Sequence, residues 1–165
     1  MSDTTLTKTP LKGNIDPTIP ARILEEGYGP GAWHGADLRA AIDATDARLA
    51  FWRPGADRHN IAEIAAHHAG CVHGVIKQLG GRDEPFAIEG SDWFPLSSDH
   101  DMKWKAIQSL VESTQKQLTE TVAAIEQGAL TSPMSPSDRF ELLLGVTCHA
   151  VYHAGQMQLI RALHG

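Results

Sequence analysis

Apolar residues recur at three- and four-residue steps along most of this chain, and the runs are separated by glycine, proline and capping side chains. The clearest stripe is Trp104, Ile107, Leu110, Val111, Leu118, Val122 and Ile125, one face of a helix that Ser98 or Asp99 would cap and Gly128 would end. Earlier, Ile61, Ile64, Cys71, Val72, Val75 and Leu79 share another helical face. Asn60 is its N-cap, Glu63 completes a capping box three residues on, and Gly80-Gly81 stops it. Residues 35–52 predict one continuous helix with Leu38, Ala41, Ile42, Leu49 and Trp52 available for burial. The last helix opens near Ser135 or Ser137 and carries Phe140, Leu143, Leu144, Val151, Leu159 and Leu163. Val146, His149, His153, Met157 and Ile160 lie on an adjoining face. A helix apolar around so much of its circumference is expected at the centre of a bundle.

Asp16 and Pro17 read as an N-cap and an N1 proline opening a short helix to about Glu26, which Gly27-Tyr28-Gly29-Pro30-Gly31 ends. Residues 1–14 are polar and threonine-rich, a flexible tail, and residues 15–165 form one domain. Residues 82–97 hold two prolines and no sustained period, so they predict a long crossover connection. No alternating strand pattern competes. The expected fold is all-α, a four-helix bundle with a short extra N-terminal helix and essentially no sheet.

Composition narrows the function. The chain has 165 residues, 42% hydrophobic and 21% charged, with a net charge of −6. Lysine and arginine form no cluster, which argues against nucleic acid or a charged membrane surface as partner. No apolar run approaches the roughly 20 residues that span a bilayer. The N-terminus lacks a charged-then-apolar signal pattern, so a cytoplasmic location is expected. The two cysteines, Cys71 and Cys148, are expected reduced and packed as small hydrophobes. Nine histidines are the oddity.

His149 and His153 stand four residues apart, which stacks their rings on one helical face. Two neutral imidazoles so placed reach one divalent first-row metal, and such sites draw at least a third ligand. His67 or His68 on the second helix is the third candidate, and periodicity does not choose between them. His59, His73, His100 and His164 fall at helix ends or on polar faces. Rival motifs are missing: the pair reads H-A-V-Y-H without the glutamate of a zincin, and no P-loop, GxGxxG, GxSxG or CxxC occurs. Cys71, four residues after His67, is a minor candidate as fourth ligand or nucleophile, since nothing nearby in sequence would depress its pKa.

The segment from His59 to His67, H-N-I-A-E-I-A-A-H, followed after a long helix by Gly145 to Gln156, G-V-T-C-H-A-V-Y-H-A-G-Q, resembles the DinB/YfiT-like superfamily. Trp33-His34 within G-P-G-A-W-H-G-A-D-L and the connection Asp92-Trp93-Phe94-Pro95 before Trp104 are similar to one branch of it. The resemblance covers about Gly29 to Leu163. It implies up-down-down-up topology and a metal centre of His67, His149 and His153, with His68 at a position that is usually aliphatic in the family. Zinc or nickel is the expected metal. Three imidazoles leave positions for water and substrate, the mark of a catalytic centre. The resemblance implies a metal-dependent enzyme, first a thiol S-transferase on a low-molecular-weight thiol and second a hydrolase. A non-catalytic, ligand-binding stress-response bundle is the alternative. A homodimer fits the family, although periodicity marks no exposed apolar seam. Which residues are catalytic is left open. Gln156 and His34 are expected beside the metal ligands, and Tyr152 in packing or an inter-helix hydrogen bond.

Overall fold

The computed structural model describes residues 18–81, 83–90, 92–100 and 102–165, and these contain helices and no strand. The helices are α1 (Thr18–Tyr28), α2 (Leu38–Asp43), α3 (Ala47–Phe51), α4 (Ile61–Leu79), α5 (Trp104–Glu126) and α6 (Pro136–His164). The all-helical expectation holds. The predicted cap at Asp16 and Pro17 lies outside the described residues.

Capping decides where the helices begin, and three predicted ends are correct. Asn60 opens α4 by accepting the Glu63 amide at 2.8 Å, with the Glu63 carboxylate returning to the Asn60 amide. Gly80 closes it at φ 90°, a left-handed conformation that suits glycine. Ser135 caps α6 through the Asp138 amide, with Pro136 at the first helical position. The cap of α5 was misread: its N-cap is Lys103, which gives no side-chain hydrogen bond, while Ser98 and Asp99 precede the helix.

The helix expected over residues 35–52 is broken in two. Asp37 caps α2 through the Ala40 amide and Asp46 caps α3 through the Leu49 amide, each at 2.8 Å. Between them the Thr45 carbonyl accepts the indole N–H of Trp104 at 2.8 Å. A buried partner from α5 therefore takes the carbonyl that a continuous helix would have used internally.

The N-terminal helix is no appendage. α1 packs along α6 and also meets α5. Gly27 is buried at this seam, where a Cβ would stand 2.9 Å from the Thr147 carbonyl oxygen, so the two backbones meet because no side chain separates them. α4 packs between α5 and α6.

Helix α6 packs against α1, α2 and α4, yet one side of it is open. Leu143, Val146, Ala150, His153, Ala154, Met157 and Ile160 form its buried stripe. Leu144, Tyr152, Leu159 and Leu163 are exposed on the opposite side. Tyr152 is exposed with its ring edge-on to His153 at 5.3 Å, and an exposed apolar seam exists where none was expected. Cys148 is exposed too, so only Cys71 is even partly packed.

Two apolar clusters make up the core. One gathers Leu38, Ile61, Ile64, Trp104, Ile107 and Met157; the other gathers Leu24, Val72, Ile76, Leu79, Leu118 and Leu143. On α4 the change of cluster falls between Ala69 and Val72, and on α6 between Val146 and Ala150. His149 stands at the α6 junction, whereas Gly70 and Cys71 occupy the α4 junction just after His67 and His68.

Asn60 supplies more than a cap, because its side-chain amide also donates to the Leu96 carbonyl at 2.8 Å. Asn60→Ala removes both bonds from a buried position and should destabilise the protein by about 2 kcal/mol. Chemical denaturation measures it, and an unchanged midpoint would contradict the assigned role.

Candidate metal centre

Three imidazoles converge between α4 and α6. His149 Nε2 lies 3.1 Å from His67 Nε2 and 3.0 Å from His153 Nε2. One nitrogen from each of the three falls within 4.8 Å of the other two. Nitrogens bound tetrahedrally to zinc at about 2.0–2.1 Å stand roughly 3.3 Å apart, so the cluster has the dimensions of a first-row metal site. His67 is brought in from α4, and His149 and His153 stack one turn apart on α6.

The opposite ring nitrogens are tied down. His67 Nδ1 donates to the Asp92 carbonyl oxygen at 2.8 Å, with the Asp92 carboxylate at 3.1 Å. His153 Nδ1 donates to Gln156 Oε1 at 2.6 Å. These acceptors carry no proton to give, so in neutral rings the Nε2 atoms of His67 and His153 are bare lone pairs. A neutral His149 has one proton and can satisfy only one of those two close contacts. The other sets lone pair against lone pair at about 3 Å, a repulsion that a divalent cation relieves. The residues therefore fit a metal, and they supply the orienting hydrogen bonds that imidazole ligands normally have.

Both candidates for the third position are buried, but they point differently. His67 presents Nε2 to the cluster, whereas His68 meets His149 on its far side, Nδ1 to Nδ1 at 3.3 Å. Gln156 contacts the cluster as expected. His34 does not: it is exposed and donates from Nε2 to the Glu26 carbonyl oxygen at 2.8 Å. Cys71 Sγ lies 3.7 Å from His67 Nε2 and groups with His67 and Asp92 rather than with the three histidines. Burial, helped by the nearby Asp92 charge, pushes its thiol upward, which leaves it protonated at neutral pH.

Sequence reasoning missed the contributions of Asp92 and Trp93. Trp93 is sandwiched between His59 and His67, with ring centroids 3.7 and 4.1 Å away and both pairs tilted by only 7°. His59 in turn contacts Glu63 at 3.0 Å, and Arg53 reaches the same carboxylate at 2.5 and 3.0 Å. Burial raises the Glu63 carboxyl, but the hydrogen bonds from Arg53, His59 and the Leu96 amide outweigh it and leave its pKa lowered. The start of α4 is thereby braced against the tryptophan that covers His67. The only advance signal was the Asp92-Trp93 pair in the connection between α4 and α5.

Burial also controls protonation. It lowers His149 from 6.5 to about 4, with His153 and His67 adding to the effect and Asp92 opposing it. Burial lowers His153 as well, partly offset by Gln156, and holds His68 well below the ordinary value. The unfolded chain takes up these protons near pH 6.5, whereas folded His149 resists until about pH 4. Over that window the unfolded state binds more protons, so stability falls as pH falls. Chelator-treated protein should show a declining denaturation midpoint from about pH 6.5 to 4. A midpoint flat across that range would contradict neutral buried imidazoles.

A family model described as the DinB superfamily matches residues 32–157. No curated protein matches the chain, and neither does any solved structure. The matched span covers well over half of the sequence and includes all three clustered histidines and Asp92. The chain belongs to the DinB superfamily.

Proposed function

We propose that this protein is a metal-dependent enzyme of the thiol S-transferase type, with His67, His149 and His153 holding one divalent transition metal, zinc or nickel. The observation that carries the reading is the convergence of three Nε2 atoms whose Nδ1 atoms are hydrogen-bonded elsewhere. Imidazoles suit both metals, and three neutral ligands leave the full +2 charge uncompensated by the coordinating atoms. When bound, the metal supplies Lewis acidity that holds a thiol as thiolate near neutral pH. We also read the helices as the up-down-down-up four-helix bundle expected of the family, within one domain over residues 15–165.

The chain's own residues divide the remaining work. Asp92 and Gln156 fix the rings of His67 and His153, and Trp93 shields the outer face of His67. Cys71 stays protonated, which leaves the nucleophile's place to an incoming small-molecule thiol. Space for that molecule lies on both sides of Cys71. One open cavity of about 450 Å³ is bordered by His149, Val75, Met134, Glu141 and Leu142. A second of about 250 Å³ is bordered by His67, His73, Phe86, Asp92 and Phe94. Their mixed apolar and acidic walls suit a small amphipathic thiol better than a polymer.

Untagged protein should carry close to one metal per chain by elemental analysis and should join low-molecular-weight thiols to electrophiles only when loaded. His149→Ala should lose metal and turnover together, with activity down by roughly 100-fold or more. Loaded protein that turns over no thiol–electrophile pair would contradict the transferase reading. Turnover that survives chelation would contradict the metal's part in it.

A further inference from the structure

We propose that His68 is a positioning residue for His149, setting its tautomer and ring orientation so that Nε2 is free to bind metal. The inference rests on His67, His149 and His153 being the ligands.

The two Nδ1 atoms lie 3.3 Å apart, their rings within 20° of parallel. A contact at that distance between neutral imidazoles needs one proton, and only two arrangements supply it. In the first, His68 donates from Nδ1. The proton of His149 must then sit on Nε2, pointing at the nitrogens of His67 and His153, and His149 cannot bind metal. In the second, His149 donates from Nδ1 and its Nε2 lone pair joins those of His67 and His153. Metal binding selects the second.

That choice fixes His68 as well. Its proton must lie on Nε2, which is buried without a hydrogen-bond partner among the described residues. An unpartnered polar atom in a fully buried side chain is costly, and a plain packing residue would avoid it. Its presence is accounted for if the other nitrogen is needed as an acceptor. Among the described residues, His149 Nδ1 has no hydrogen-bond partner besides His68. Each ligand then has its own orienting acceptor: a backbone carbonyl and carboxylate for His67, an amide oxygen for His153, and a neutral imidazole for His149. Metal coordination also makes the Nδ1–H of His149 a stronger donor, so metal binding and the His68 contact reinforce one another.

Competition between the full-length protein and a chromophoric chelator for Zn²⁺ tests this. His68→Leu keeps the buried bulk but removes both the acceptor and the unpartnered Nε2. Its dissociation constant for Zn²⁺ should rise by about 10- to 100-fold. The denaturation midpoint of the metal-free variant should be unchanged or higher. His68→Asn places Oδ1 where Nδ1 stands and should recover most of the lost affinity. Wild-type affinity in His68→Leu, or equal losses in both variants, would overturn the proposal. Long-range ¹H–¹⁵N spectra of the zinc-loaded wild type give a readout that does not depend on how the variants fold. They should show His149 protonated on Nδ1 and His68 on Nε2, and the opposite tautomers would refute the inference. His149→Ala serves as the control: if it binds Zn²⁺ as tightly as wild type, the ligand assignment itself fails.

Discussion

Four imidazoles meet between α4 and α6, where an unpaired buried polar group costs roughly 2–7 kcal/mol. The local structure around them reduces that cost. In the connection between α4 and α5 the Asp92 carbonyl accepts from His67, and the extra turn of α6 past His153 brings Gln156 back to its ring. His68 and His149 share a bond between α4 and α6. What these pairings leave unresolved is the meeting of the Nε2 atoms themselves, and a cation answers that. The layer thus trades local stability for a preorganised donor set. The apolar clusters hold the helices that present it.

The brace outside the layer follows the same logic. Glu63 caps α4, receives Arg53 and His59, and accepts the Leu96 amide. His59 then stacks on Trp93, and Trp93 on His67. A single buried carboxylate therefore connects the start of α4, the α4–α5 connection and one ring of the histidine cluster. Phe94 and Leu96, buried beside Trp93, anchor that connection in the core although it has no regular structure.

Much of this was legible in the sequence because it is local. The capping box at Asn60 and Glu63, the stop at Gly80 and the Ser135-Pro136 start each depend on residues within one turn. The His149 and His153 pair is likewise read from spacing alone. The unread parts depend on distant partners. The helix breaks at Thr45, whose carbonyl accepts from Trp104, 59 residues later. His67 and His68 stand about 100° apart around α4, and which of them faces the His149 and His153 Nε2 atoms is set by how the helix is turned, which residue periodicity does not resolve. The exposed side of α6, with Leu144, Leu159 and Leu163, looks like core in composition and is set by which face α1, α2 and α4 cover.

X-ray absorption at the metal edge tests the central claim most directly, on protein loaded with one equivalent of zinc or nickel and no added thiol. The account predicts three imidazole nitrogens, at about 2.0–2.1 Å for zinc, and no sulfur in the first shell. A sulfur neighbour at about 2.3 Å, which would place Cys71 on the metal, or fewer than three imidazoles, would contradict it.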